Sequence, residues 1–282
     1  MSLQIFNNIS SLNAQRSLEN NRTQVGISIS RISSGIRINK SSDDAAGLAI
    51  SEGLNSDVQA LKQGARNLND GLALIGAIDG ALNEQAGILI RLRELASQSA
   101  TGTIGSTERE SIQLEVDALR EELDRIANTT EFNGQKLLDG SLAAGAGNPV
   151  VLQIGLDSSS DSRVNLNEVL NVTPVTSNAL GFEDTSILTQ EDAINAIGTL
   201  TSAIDKLSEI RGRVGANENQ LVRALNNLNV SIEGLTSALT TIRDADLAVE
   251  FAELTKNQIL VQAGAAMVGQ SNLTPQAVLT LL

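Results

Sequence analysis

The sequence predicts a mainly α-helical protein: a long antiparallel helical rod with coiled-coil-like seams and a small central β-hairpin region. From Leu54 to Ala96, and again from Leu200 to Ile242, alternating steps of four and three residues reach apolar side chains at eleven of thirteen positions. Apolar residues at this spacing keep one seam of a helix facing a partner helix. At about 1.5 Å per residue each tract is about 63 Å long. We therefore expect the two tracts to pair along their lengths.

Composition supports thin helix–helix seams rather than a thick core. Trp and Tyr are absent and only four Phe are present, so Leu, Ile, Val and Ala must fill the interior. The same scarcity of aromatic residues argues against binding of single-stranded nucleic acid, which depends on base stacking.

The net charge of −13 is concentrated in the middle of the chain. Residues 67–210 hold eight Lys/Arg against twenty-two Asp/Glu, whereas the segments on either side are nearly neutral. Nearly neutral ends can approach one another, while an acidic middle repels nucleic acid and anionic membrane surfaces. We expect no nucleic-acid partner.

The sequence lacks the residues on which many catalytic and metal-binding sites depend. His and Cys are absent, which excludes disulfides, triads built on His and the usual zinc sites. Neither a GxxxxGK[ST] nor a GxGxxG phosphate-binding pattern occurs. The sequence therefore indicates neither an enzyme nor a cofactor. It also contains no run of about 18 apolar residues that would span a membrane, and its start lacks the pattern of a classical signal peptide.

Residues 1–40 are predicted to be helical with small interruptions. Their apolar residues form two short stripes: Ile5, Ile9 and Leu12, then Val25, Ile29, Ile32 and Ile36. The following SSGIRINKSSDDAAG is rich in turn and capping residues, so Ser41, Ser42 or Asp43 is expected to cap a long helix ending near Ser99.

Residues 100–189 are predicted to contain one helix and a β-rich insert. Ser106 or Thr107 is expected to cap the helix, Glu110 could complete a capping box with Thr107, and the helix should end near Asn128. Within residues 141–189, the runs VVLQIGL and SRVNL are separated by SSSD and predict a hairpin.

From about Gln190 the helical pattern resumes and continues to Arg243. A last helix should follow Asp244 or Asp246 and break near Pro275. Its apolar stripe contains Leu247, Phe251, Leu254, Val261 and Val268.

This layout predicts three regions. Residues 1–42 and 244–282 are terminal helices, residues 43–140 and 190–243 form the helical rod, and residues 141–189 are a short insert within it. The terminal stripes are narrow and contain Ala and Gly. Such helices tend to find partners on other chains, so the stripe residues named above are the predicted subunit-packing residues.

Several motifs in family order resemble bacterial flagellin. They are SLNAQRSL (11–18), RISSGIRINKSSDDAAGLAISEGL (31–54), RLRELASQSATGT (91–103), EFNGQKLLDG (131–140), TIRDADLAVEFAELTKNQILVQAGAAM (241–267) and the ending PQAVLTLL. The resemblance covers roughly residues 1–140 and 190–282, and the short central segment indicates that the outer variable domains of many flagellins are absent.

The resemblance implies a filament subunit for motility whose paired terminal helices form the inner core. It implies export through the flagellar base to a filament, either extracellular or periplasmic. The implied partners are like subunits, a filament cap, hook-junction proteins and a cytoplasmic secretion chaperone. It further implies recognition by innate immune receptors through Arg91, Leu95 and Glu115, although Ile90 stands where a polar residue is frequent.

Two alternatives remain open at this stage. A hook–filament junction protein would share related terminal helices. A secreted helical ligand or adhesin acting as a monomer would need an exposed apolar or aromatic patch, which the acidic, aromatic-poor middle does not suggest.

Overall fold

The structure is a computed structural model that describes residues 8–279, with side chains described for residues 8–273. The helices are α1 (Ile9–Ser34), α2 (Ala45–Ser99), α3 (Ser106–Thr129), α4 (Leu166–Leu170), α5 (Ser177–Leu180), α6 (Gln190–Arg243) and α7 (Leu247–Leu279). The strands are β1 (Glu131–Phe132), β2 (Gln135–Lys136), β3 (Val151–Gln153) and β4 (Arg163–Asn165). They form two small antiparallel hairpins, β1–β2 and β3–β4. The predicted mainly α fold with a small β-hairpin region is confirmed.

The described chain divides into two compact units. The terminal unit contains residues 8–56 and 234–279, and the central unit contains residues 57–233. These divisions fall inside α2 and α6, whereas the predicted boundaries at 42/43 and 243/244 lie close to where helices begin or end.

In the central unit α2 and α6 run antiparallel. Asp79 on α2 pairs with Arg211 on α6, with 3.3 Å between Oδ1 and Nε. Gly102, just past the end of α2, lies beside Gln190 at the start of α6. In each of the two predicted tracts, two of the thirteen spaced positions carry a charged residue instead of an apolar one. Asp79 is one of these two in the first tract, and Arg211 is one of the two in the second. A polar pair within a seam of this kind favours one register of the two helices.

Burial along α6 has the predicted periodicity, but Ala203 and Ile210 are buried in place of the predicted positions Ile204 and Arg211. Its buried residues recur at steps of three and four up to Val214 and then after one heptad: Ala193, Ala196, Leu200, Ala203, Leu207, Ile210, Val214 and Leu221. Leu68, Ile75, Leu82 and Leu89 on α2 are completely buried and belong to the same core. The interior of the central unit is therefore the predicted aliphatic seam, thickened by α3 and the insert.

One buried amide connects the insert to the helices, and another connects distant parts of the insert. Gln85 on α2 is fully buried, and its Nε2 donates to the carbonyl oxygens of Leu123 on α3 and Val175 in the insert, both at 3.1 Å. Asn167 is 1% exposed; it donates to Ser141 O and accepts from Val150 N–H. Both bridges are long-range, so no local sequence pattern could have predicted them.

The β3–β4 hairpin lies directly on α2. A Cβ atom at Gly64 would be 2.6 Å from the carbonyl oxygen of Ile154, and one at Gly71 would be 2.4 Å from Leu152 Cδ1. Between them, Asn67 Nδ2 donates to Gln153 O at 2.8 Å. The two glycines thus allow the hairpin to approach the helix backbone more closely than any side chain would permit.

Three predicted helix ends differ from the structure. The N-cap of α2 is Asp44, whose carboxylate accepts a hydrogen bond from Gly47 N–H at 2.9 Å. Asp43 does not cap the helix because its carboxylate already accepts hydrogen bonds from backbone N–H groups of the preceding turn. Extended Gly105 precedes α3 without a side-chain cap, so the predicted caps Ser106 and Thr107 lie inside the helix.

The last helix also continues past Pro275 to Leu279. Proline removes one backbone hydrogen bond and usually kinks a helix, but the residues after it keep helical geometry here. By contrast, Asp246 accepts from Ala248 N–H at 2.9 Å at the start of α7, which confirms one of its two predicted caps.

Candidate functional site: the paired terminal helices

The helices α1 and α7 form an antiparallel pair in the terminal unit. At one end Asn8 Nδ2 donates to Ser271 O at 2.7 Å, and Ser11 Oγ donates to Asn272 Oδ1 at 2.7 Å. Toward the other end Arg31 Nη1 lies 3.0 Å from Glu250 Oε1. The paired segment therefore covers nearly all of α1.

Backbone hydrogen bonds join the two helices where α1 ends and α7 begins. Gly35 ends α1 in the left-handed conformation, with φ 70°, which favours glycine. Its carbonyl oxygen accepts from Ala245 N–H at 3.0 Å, and Arg37 N–H donates to Arg243 O at 2.7 Å. These bonds align the end of α1 with the start of α7.

The seam between α1 and α7 is only partly apolar. Its buried or half-buried positions recur at steps of three and four: Ser11, Ala14, Leu18, Asn21, Val25, Ser28 and Ile32 on α1, and Glu250, Leu254, Asn257, Val261, Gly264, Val268 and Ser271 on α7. The most buried of these are polar, namely Ser11, Ser28 and Asn257. The aliphatic members recur once per heptad, so the pair has about half the apolar density of a full a/d seam.

The outer surface of the pair carries large apolar side chains. Those that are 40–61% exposed are Ile9, Leu12, Ile29, Leu247, Val249, Phe251, Ile259, Leu260, Met267 and Leu273. Single exposed apolar residues are ordinary on protein surfaces, but a concentration of them marks an interaction surface. Hereafter these ten residues are called the outer face.

The predicted subunit-packing residues fall into two groups. Ile9, Leu12, Ile29, Leu247 and Phe251 belong to the outer face, whereas Val25, Ile32, Ile36, Leu254, Val261 and Val268 are half-buried. Val25 and Val261 line the same groove between the two helices. Ile5 lies outside the described residues. The sequence pattern did not predict the buried polar residues of the seam, because the predicted stripes contained apolar residues alone.

The three residues predicted to contact a receptor lie in the central unit. Arg91 Nε and Nη2 donate to Glu115 Oε1 at 2.9 and 2.8 Å, and both side chains are about half exposed. Hydrogen bonding to Glu115, followed by that to Glu94, raises the pKa of the Arg91 guanidinium above its ordinary value. Leu95 is 1% exposed and belongs to the core, so in this conformation it can act on recognition only by positioning its neighbours.

The described residues contain neither a metal-binding cluster nor a membrane-spanning helix. No group of three or more carboxylates among residues 8–279 is arranged to hold a metal ion. None of the helices in that range has the length and hydropathy needed to cross a bilayer.

Comparison with known proteins identifies the family. A model of the bacterial flagellin N-terminal helical region matches residues 5–143, and a model of the C-terminal helical region matches residues 197–282. The chain is 38% identical to a flagellin of Bacillus subtilis over 99% of this chain and 100% of that protein. It is 39% identical to the flagellar filament 33 kDa core protein of Treponema phagedenis over 99% of both. The chain therefore belongs to the bacterial flagellin family, a family of structural proteins.

A solved structure agrees with this fold. The putative flagellar hook-associated protein from Vibrio parahaemolyticus matches with a TM-score of 0.58, over 72% of this chain and 100% of that chain. Its identity of 16% limits the likeness to the fold.

Proposed function

We propose that the chain is a subunit of the flagellar filament and that it polymerises through the outer face of the α1–α7 pair. The observation that carries this proposal is the concentration of ten large, exposed apolar side chains on one helix pair. Burial of one such side chain contributes roughly 1.5–3 kcal/mol. Contact with further copies would remove this surface from water, and the nearly neutral charge of both ends allows like chains to approach.

The test of this proposal is a single charge on the outer face. Phe251 is 52% exposed, so F251D should leave the α1–α7 pair intact while placing a carboxylate where neighbouring subunits pack. An unpaired buried charge costs several kcal/mol, and we expect polymerisation and motility to be lost. Sedimentation and electron microscopy measure filaments, and circular dichroism checks that the helices remain.

Two further variants show which surface is responsible. F251L keeps the position apolar and should still polymerise. L254D/V261D should also abolish filaments, but by charging the seam within the subunit, so it should lower the helix content of the terminal unit as well. Normal filaments from F251D would remove the outer face from the assembly contact.

Partners and location follow from the family resemblance. We propose that the subunit is exported through the base of the flagellum, aided by a cytoplasmic chaperone, and that its filament meets hook-junction proteins and a cap. The proposed location is the flagellum outside the cytoplasm.

Recognition by an innate immune receptor is a second proposed role. Its support is the match of Arg91, Leu95 and Glu115 to the family pattern, together with the exposure of the Arg91–Glu115 ion pair. A partly exposed Arg is a frequent hot spot in protein interfaces. Exposed Leu114, adjacent in sequence to Glu115, adds apolar surface at the same place, whereas exposed Ile90 stands where a polar residue is frequent in the family.

A further inference from the structure

We propose that the ion pair between Arg31 and Glu250 holds α1 and α7 in the register that the backbone bonds of Gly35 and Arg37 begin, and thereby decides whether the outer face is assembled correctly. This inference rests on the proposed filament function and names the residues that specify it. The pair joins the two helices at 3.0 Å, and its side chains are only 30% and 12% exposed.

The apolar residues of the seam do not specify a register by themselves. Leu18, Val25 and Ile32 are spaced by seven residues on α1, and Leu254, Val261 and Val268 are spaced by seven on α7. After a slip of one heptad, two of the three apolar pairs could form again. The helices would then be displaced by about 10 Å, with little loss of apolar contact.

The Arg31–Glu250 pair opposes both slips. Movement by seven residues in one direction carries Arg31 past Leu247, the first residue of α7, toward the like charge of Arg243 at the end of α6. Movement in the other direction brings it opposite Asn257, whose amide is neutral and 7% exposed. In either case the Glu250 carboxylate, which is 12% exposed in the native register, loses its cation, and separating the partners of a partly buried ion pair is unfavourable. Polar residues at single seam positions specify the register of coiled coils in the same way.

Register matters because the outer face includes residues from both helices. A slip moves Ile9, Leu12 and Ile29 on α1 along the helix axis relative to Phe251, Ile259 and Met267 on α7, so a neighbouring copy would meet a different arrangement of exposed apolar side chains. A displaced pair would keep amphipathic helices and their helix content but present a mismatched surface. The expected defect is therefore in assembly rather than in helix formation.

Engineered disulfides can read the register directly because the chain contains no Cys. A Cβ atom at Gly264 would lie 3.6 Å from Leu18 Cβ, within the range found in disulfides. L18C/G264C therefore reports the native register, while L18C/N257C and L18C/S271C report slips of one heptad in each direction. Copolymerising each variant with a large excess of cysteine-free wild type ensures that every crosslink is intramolecular.

Charge reversal then tests the pair. R31E and E250R should each lower the 18–264 crosslink yield and raise a slipped one, and should raise the critical concentration for polymerisation by about tenfold or more. The double swap R31E/E250R should restore both measurements. K256E is the matched control, because Lys256 pairs with Glu253 inside α7, and it should leave the 18–264 yield unchanged.

Two results would overturn the inference: single reversals that keep the native crosslink and polymerise normally, or a double swap that fails to restore them. Failure of the wild type to polymerise would instead reject the proposed function. In that case the same crosslinks, measured in the dissolved full-length chain, still decide whether Arg31 and Glu250 hold the register.

Discussion

Asp43 and Asp44 are adjacent carboxylates with separate structural roles. Asp44 caps α2, whereas Asp43 Oδ2 accepts from the backbone N–H groups of Lys40 and Asn39 at 3.0 and 3.2 Å. Sequence reasoning located both near a helix start but could not divide the roles, because that depends on which backbone N–H groups the turn presents. The same limit applies to Gln85 and Asn167, whose partners lie far away in sequence.

Asp43 predicts a dependence of stability on pH. The backbone N–H groups of Lys40 and then Asn39 lower its pKa, so its contribution is present above the unfolded-state pKa of about 3.9 and is lost as the pH falls through the lower folded value. D43A should therefore destabilise the monomer more at pH 7 than near pH 3. Urea unfolding at both pH values measures this. An equal D43A effect at the two values would contradict it.

Arg91 offers a residue-scale test of receptor recognition. R91A removes the guanidinium but leaves the core residue Leu95 in place, so binding of the monomer to the receptor should weaken by roughly tenfold or more while thermal unfolding changes little. The control is R125A, which removes a similar exposed ion pair, with Glu122, from α3. Equal receptor binding by R91A and the wild type would exclude this residue from the recognition surface.

At the scale of elements, the long helices could be predicted and the docking of short elements could not. Heptad spacing located α2, α6 and α3 to within a few residues, because each buries a periodic stripe. The helices α4 and α5 are one turn or little more and carry no such period. The place where β3–β4 docks depends on Gly64 and Gly71, whose role appears only when Leu152 and Ile154 lie against them.

This docking predicts opposite effects for two glycine substitutions in one helix. G64A should displace the hairpin, since its Cβ would meet the Ile154 carbonyl oxygen at 2.6 Å, and should increase protease cleavage within residues 156–161. G76A is the matched control because nothing lies within 4 Å of its Cβ. It should raise stability by up to about 1 kcal/mol through helix propensity. Equal cleavage of the two variants would show that the hairpin is not fixed by Gly64.

For the molecule as a whole, sequence spacing predicted the helical seams. The burial of their side chains shows that these seams are of two kinds. The α6 seam buries aliphatic residues at nearly every step, whereas the most buried residues of the α1–α7 seam are Ser11, Ser28 and Asn257. An apolar count alone could not reveal this, because half of the predicted terminal stripe belongs to the outer face. The two units should therefore differ in how far they can fold without neighbouring copies.

The expected consequence is that only the central part of an isolated monomer resists proteolysis. Ordering each residue costs roughly 1–2 kcal/mol of backbone entropy, and the polar α1–α7 seam recovers less of that cost than the aliphatic seam of the central unit. The α1–α7 pair therefore forms in the monomer but opens more often than the central unit, and burial of the outer face by neighbouring copies would keep it closed. Light protease treatment should trim both ends of the monomer to a core near residues 43–243 and spare them in filaments, as mass spectrometry of the fragments would show. Intact ends in both forms would mean that the α1–α7 pair resists opening as well as the central unit does, even without the polymer.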